Sequence, residues 1–216
     1  MPTKETANRI AADLLSIRAV FLRPTEPFTW ASGILSPVYC DNRLTLSDPL
    51  ARGHVEDGFA ELMRAKYPDC EILMGTSTSG IPHAAIVAHL LGLPMGYVRG
   101  DAKAHGRNNQ IEGRLLPGQK VVVVEDLIST GGSVLEVVEA LRTAGAQVQG
   151  IISIFTYNMQ KGLDRLAAAD VENTSLTSFD ALVEVAAETG YIEPAAKAAL
   201  LAFRDNPGDA AWREKL

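Results

Sequence analysis

Val121–Val124 are four consecutive β-branched apolar residues, and a run of this kind is a strand buried on both faces. Glu125 and Asp126 end it, small and hydroxyl-bearing residues follow, and a helical pattern opens at Ser133. In an open α/β sheet, ligands bind at the carboxyl ends of the strands. Unpaired N–H groups and the positive end of the dipole make a helix start a phosphate site. The two carboxylates would repel a phosphate, but they suit ribose hydroxyls or a bound cation. One loop therefore offers sites for both halves of a sugar phosphate.

The rest of the chain supplies a frame for this unit. Apolar positions at Ile10, Leu14 and Ile17 give residues 4–17 a helical period. Residues 18–46 are rich in Pro, Ser, Thr and aromatics, with strand-like pieces such as Pro37–Cys40. Ser47-Asp48-Pro49 starts a helix that runs to about Lys66, and Pro68 stops it. Glu71–Met74 reads as a strand, Gly75–Gly80 as a loop of small polar residues, and 82–91 as a helix closed by Gly92. Met95–Arg99 is a strand, 100–117 a polar stretch without period, and Val148–Phe155 another strand after the helix 133–143. The last sixty residues or so hold two or three helical patterns and one short strand near Ser175. Strands alternate with helices from 49 to 156, which predicts an α/β fold. Its sheet is mainly parallel and twisted, with helices on both faces and right-handed crossovers.

At 216 residues this is a single domain. Its core spans about 47–156, and about 1–46 with part of 157–216 forms a small cap. The net charge of −6 argues against a broad nucleic-acid surface. Cys40 and Cys70 have no metal-ligand spacing and read as free thiols in a reducing compartment. No signal pattern or membrane-length apolar run is present, so a cytoplasmic protein is expected. Neither G-x-G-x-x-G nor G-x-x-x-x-G-K-[ST] occurs, which disfavours dinucleotide and P-loop chemistry.

The stretch Glu125, Asp126, Leu127, Ile128, Ser129, Thr130, Gly131, Gly132, Ser133 resembles the phosphoribosyltransferase signature. That signature is an apolar strand, two acidic residues, two apolar residues, Thr or Ser, then small residues with Gly. The Gly75–Gly80 loop, with Thr76 and Ser77, is similar to that family's pyrophosphate loop; small side chains let backbone N–H groups approach an anion. Residues 97–113 carry Arg99, Lys103, His105 and Arg107 against Asp101 and Glu112. A net-positive loop in an acidic chain suits a polyphosphate, and Gly100, Gly106 and Gly113 would let it open and close. Arg99, Lys103, His105 and Gly106 resemble the catalytic loop of orotate phosphoribosyltransferases, although Gly100 replaces a second Lys common there. Residues 28–43, with Ser32, Gly33, Ser36-Pro37 and Tyr39, resemble the segment that forms the orotate end of the site. Ala31 and Leu35 replace basic residues common in the family. Residues 154–162 resemble a bacterial branch without Arg after that strand, so no orotate-binding Arg is assigned. His54, His83 and His89 read as surface or satisfied core residues, and Trp30 as a packing residue.

The resemblance implies a type I phosphoribosyltransferase fold. It also implies transfer of ribose 5-phosphate from 5-phospho-α-D-ribose 1-diphosphate (PRPP) to orotate, giving orotidine 5′-phosphate and diphosphate in pyrimidine (UMP) biosynthesis. Lys103, Asp126 and Glu125 would be catalytic. PRPP would contact Arg99, Lys103, His105, Thr76, Ser77 and the run Glu125–Ser133. Orotate would meet Ser32, Gly33, Tyr39 and Ser129. Mg²⁺ is the implied cofactor, held through the substrate's diphosphate and ribose hydroxyls with no direct protein ligand assigned. The implied partners are the two small substrates and a second copy of the chain, whose 100–113 loop would reach the neighbouring site. Neither nucleic acid nor membrane is expected as a partner. The alternatives are a purine-base phosphoribosyltransferase, disfavoured by the Lys-x-His-Gly and Ser-Gly…Ser-Pro segments, and a PRPP-sensing transcription regulator. The latter needs a helix-turn-helix segment and a basic face, and the chain shows neither.

Overall fold

The computed structural model describes residues 2–29, 33–100 and 110–216. The chain starts with helix α1 (Lys4–Ser16), then short strands β1 (Val20–Leu22), β2 (Phe28–Thr29), β3 (Leu35–Ser36) and β4 (Val38–Cys40). These pair as two antiparallel ribbons, β1 with β4 and β2 with β3. A 3₁₀ turn over Asn42–Ser47 leads into α2 (Pro49–Lys66). There follow β5 (Ile72–Thr76), α3 (Gly80–Leu91), β6 (Met95–Val98), β7 (Ile111–Glu112), β8 (Lys120–Ile128) and α4 (Gly132–Thr143). The chain finishes with β9 (Gln147–Thr156), α5 (Gln160–Ala168), β10 (Asn173–Ser178), α6 (Phe179–Glu188), α7 (Lys197–Asp205) and a 3₁₀ turn over Ala210–Lys215.

Six strands form the main sheet in the order β10-β9-β8-β5-β6-β7. All neighbours are parallel except β7, which runs antiparallel to β6. β8 sits at the centre, and its valines divide by the two-residue period of a strand. Val122 and Val124 face a core built with Leu14 of α1, Val55 and Phe59 of α2, Val87 of α3 and Leu182 of α6. Val121 and Val123 face a second core with Val134, Val138 and Leu141 of α4 and Leu166 of α5. All four valines are fully buried. The expected mainly parallel α/β sheet is what forms, and it extends past residue 156 to take in β10.

Local chemistry sets the helix ends. Asp48 Oδ1 accepts from the N–H groups of Leu50 (3.0 Å) and Ala51 (2.9 Å), and Pro49 occupies a position whose N–H would have no partner. α2 then buries Val55, Phe59, Leu62 and Met63, one face of a helix, and ends on Arg64 and Lys66 against the negative end of its dipole. Truncating Phe59 would cost about 3–5 kcal/mol by the usual scale of core aromatics.

Two sequence expectations need correction. Glu125 and Asp126 do not end β8: the strand runs on to Ile128, with Glu125, Leu127 and Ile128 paired to Ser153, Phe155 and Thr156 of β9. The stretch 100–117 also contains β7, held by Tyr97↔Glu112 and Val98↔Ile111 pairing.

Candidate active site

The carboxyl ends of β5, β6 and β8 open on a cavity of about 420 Å³ with three walls. The first is the β5–α3 loop, with Thr76, Ser77, Thr78 and Ser79, joined by Arg99 after β6. The second is the end of β8 and the start of α4, with Glu125, Asp126, Leu127, Ser129 and Ser133. The third is Cys40–Arg43, which follows β4.

Two helix starts face this cavity, and neither has a side-chain cap. The helix α3 follows Ser79, and α4 follows Gly131, whose φ of +73° lies in the left-handed region that favours glycine. No side chain caps their first turns, which leaves room for an anion there, although the Ile81 N–H of α3 donates to Thr78 O (3.3 Å). The first loop lies close against β8, for a side chain at Gly80 would overlap the Val124 carbonyl oxygen. Thr76 is buried with its hydroxyl donating to that same carbonyl at 3.3 Å. The Ser77 N–H donates to Val98 O (3.0 Å), and Ser77 Oγ accepts from the Gly100 N–H (3.0 Å). The Ser77–Thr78 peptide is cis. Arg99 Nη1 donates to Glu112 at 3.1 Å.

Between the two helix starts lie Glu125 and Asp126. Glu125 is 6% exposed and its Oε1 accepts from the Asp126 N–H at 2.9 Å. Burial, reinforced by the neighbouring Asp126 carboxylate, pushes the Glu125 carboxyl up to about 8. The two carboxyl groups stand side by side at the cavity, a match for two adjacent hydroxyls. Among the described residues no group of three or more His, Cys, Asp or Glu side chains is gathered for a metal ion. Mg²⁺ is held by one or two carboxylates plus substrate phosphate and water. The pair fits an ion that arrives on its substrate.

The third wall is tied to the second. Asn42 is 1% exposed; its Nδ2 donates to Asp126 O (2.9 Å), and its Oδ1 accepts from Cys40 Sγ (3.2 Å). Burial holds the Cys40 thiol far above its ordinary value, and the Asp126 and Asp41 charges add to this. Arg43 holds Asp41 below the usual carboxylate range, mainly through their hydrogen bond.

Of the residues singled out from sequence, Thr76, Ser77, Arg99, Glu125, Asp126, Leu127, Ser129 and Ser133 line this cavity. Thr130, Gly131 and Gly132 complete its loop without lining it. Ile128 turns its side chain into the α4 core, so only its backbone remains for a ligand. Gly33 and Tyr39 do not line the cavity; Tyr39 is exposed one residue before Cys40 and packs on Phe28 at 5.7 Å. Lys103, His105 and Ser32 lie outside the described residues. Asp41, Asn42, Arg43, Gln110 and Glu136 line the cavity and were not singled out. The signal for the first three was a polar triplet directly after a strand. A larger groove of about 780 Å³ runs along β10 and α5, but among the described residues no Lys or Arg lines it, so it does not suit a diphosphate.

Two uncapped helix starts and a pair of adjacent carboxyl groups at one cavity make up a site of the kind that suits a phosphorylated sugar. Residues 50–186 match the family model of the phosphoribosyl transferase domain. The chain is 56% identical over 203 residues to the orotate phosphoribosyltransferase of Bacillus cereus (strain G9842), covering 94% of this chain and 97% of that one. The crystal structure of orotate phosphoribosyltransferase from Aeropyrum pernix superposes with a TM-score of 0.74 at 30% identity, over 85% of this chain and 99% of that one. The Mycobacterium tuberculosis H37Rv orotate phosphoribosyltransferase, in complex with 5-phospho-α-D-ribosyl 1-diphosphate, gives 0.64 at 25% identity, over 82% and 98%. The chain belongs to the orotate phosphoribosyltransferases, within the phosphoribosyl transferase family.

Proposed function

We propose that this chain transfers ribose 5-phosphate from PRPP to orotate, forming orotidine 5′-phosphate and diphosphate in pyrimidine synthesis. The observation that carries the reading is the pair of uncapped helix starts on either side of Glu125 and Asp126. PRPP has an anion at each end and hydroxyls between them, and the cavity repeats that order.

The 5-phosphate sits on N–H groups of 129–133. Asp126 holds one ribose hydroxyl, and Glu125 the neighbouring one or a metal-bound water. The diphosphate lies against Thr76–Ser79 and Arg99, with Lys103 and His105 closing on it. Breaking the anomeric C–O bond leaves the electron pair on diphosphate and oxocarbenium character on the sugar. Cationic side chains aimed at that leaving group lower the barrier. Bound with the substrate, Mg²⁺ would add charge stabilisation at the diphosphate. The ring nitrogen of orotate then forms the new C–N bond from the side of the third wall, Cys40–Arg43. That N–H is already acidic and its proton passes to the departing diphosphate or to water, so no protein base is assigned.

Residues 1–46 act as a cap beside the sheet, and two chains pair so that the 100–113 segment of one serves the other. The two free thiols, Cys40 and Cys70, fit a reducing, cytoplasmic setting. Initial rates with PRPP and orotate, uracil, adenine or hypoxanthine test the assignment. Orotate should exceed each other base by orders of magnitude in kcat/KM. Preferential use of a purine would overturn it.

A further inference from the structure

Arg43 is the only cation on the third wall, Cys40–Arg43. Asp41 holds it by both backbone and side chain. The Arg43 N–H donates to Asp41 Oδ1 at 3.2 Å, Nε donates to Oδ1 at 2.6 Å, and Nη2 donates to Oδ2 at 2.8 Å. A guanidinium is a rigid planar fork with five N–H donors. Asp41 takes two of them along the Nε edge. Three remain, two of them on the edge between Nη1 and Nη2, in the geometry that donates to a second carboxylate through two parallel bonds. The Arg43 side chain is 64% exposed, and its bonds to Asp41 use Nε and Nη2 rather than Nη1. Its field reaches Tyr39 and Asp126 as well as Asp41. The neighbouring Asn42 pins the segment to the Asp126 carbonyl, which fixes Arg43 relative to the sugar end of the cavity.

The two anions of PRPP have their own walls, at the starts of α3 and α4. A cation on the remaining wall, held in place by a carboxylate partner, calls for a third anion. Uracil and the common purine bases carry none, whereas orotate carries a ring carboxylate. We infer that Arg43 receives the carboxylate of the pyrimidine on its Nη1/Nη2 edge and is the base-selecting residue of the site. Asp41 is its positioning residue. This rests on the reaction proposed above and identifies the group that distinguishes orotate from uracil.

Orotidine 5′-phosphate and uridine 5′-phosphate differ only by that carboxylate, so their dissociation constants isolate it. Calorimetric titration of the wild-type protein should show tighter binding of orotidine 5′-phosphate. In Arg43→Met its affinity should fall by about 10- to 100-fold, the scale of a charge-assisted pair, while uridine 5′-phosphate stays within about threefold, the sugar and phosphate contacts being untouched. Arg43→Lys, which keeps the charge and loses the fork, should fall between. Equal weakening of both ligands would assign Arg43 to the shared ribose phosphate and overturn the inference. So would a preference left intact in Arg43→Met, even though orotate turnover by the wild type then upholds the reaction. A wild-type protein that neither uses orotate nor prefers the carboxylated nucleotide would remove the reaction and this inference together. Arg43 is exposed, so circular dichroism of the variants should match the wild type.

Discussion

The side-chain amide of Asn42 donates to the backbone carbonyl of Asp126 at 2.9 Å, joining two segments 84 residues apart. The same amide accepts from Cys40. One buried side chain therefore fixes the distance between the third wall and the carboxylate pair, and its removal would leave a carbonyl and a thiol without their partner.

Asn42→Ala should destabilise the protein by about 1–3 kcal/mol, the cost of leaving buried polar groups unsatisfied. It should also raise KM for both substrates, because it frees one wall relative to the other. Urea denaturation with steady-state kinetics checks both effects. Wild-type values in both assays would show that the contact fixes nothing.

Glu125 makes stability depend on pH in a defined direction. Its carboxyl is raised from an ordinary 4.5 to about 8, chiefly by burial. Below the ordinary value both folded and unfolded chains hold the proton. Between the two values only the folded chain holds it, so stability falls as pH rises through this window, and the contribution is gone above about 8. Glu125→Gln stays neutral throughout and should lose this slope. Urea midpoints at pH 5, 6, 7 and 8 give the comparison, and parallel curves for the two proteins would contradict the assignment.

The Gly80 prediction concerns the loop proposed to hold diphosphate. A methyl group there would overlap Val124 O and come within 2.6 Å of Thr76 Oγ1, in a region with no room to yield. Gly80→Ala should cost at least about 1–3 kcal/mol, the scale of overpacking, and should raise KM for PRPP more than for orotate. Gly53→Ala is the control, since nothing lies within 4 Å of the added carbon in the helical interior of α2. It should leave activity unchanged and stabilise by about 0.5–1 kcal/mol. A Gly80→Ala protein as stable as the control would mean that the loop is looser than its packing implies.

The sheet was legible because its signals are local. Val121–Val124 declare a central strand by composition, and Asp48-Pro49 starts α2 where the cap chemistry predicts. His83 is the satisfied core residue expected, 1% exposed with Nδ1 at 2.7 Å from Glu56. What escaped was set by partners far along the chain. β7 is two residues long and exists only through pairing with β6, which no period in the sequence can announce. The continuation of β8 through Glu125–Ile128 depends on β9 running alongside. Trp212 carried no pattern, yet it is buried against Phe203. Asp41, Asn42 and Arg43 enter the cavity because a long-range hydrogen bond draws their segment to Asp126. The resemblance pointed to the segment 28–43 as one end of the site, but which of its side chains enter the cavity was decided by folding.

Complementation between two inactive variants tests the proposed pairing of two chains. The Arg99 N–H donates to Gln110 O at 2.9 Å, and both residues line the cavity. The residues on either side of 101–109 therefore stand at the cavity, and that stretch of sequence carries Lys103 and His105. Lys103→Ala should lower turnover by on the order of 10²-fold, the effect of losing one charge contact in a transition state. Asp126→Asn should be similarly impaired while keeping its fold. If the segment serves the neighbouring chain, mixing the two inactive proteins restores activity, because one site of each mixed dimer receives an intact Lys103 from one chain and an intact Asp126 from the other. The second site of that dimer carries both lesions. Random exchange makes about half the dimers mixed, so roughly a quarter of wild-type activity should return if sites act independently. Subunit exchange is confirmed first, by mass spectrometry of differently tagged chains. Recovery near a quarter supports shared sites, whereas exchange without recovery would place Lys103 in the site of its own chain.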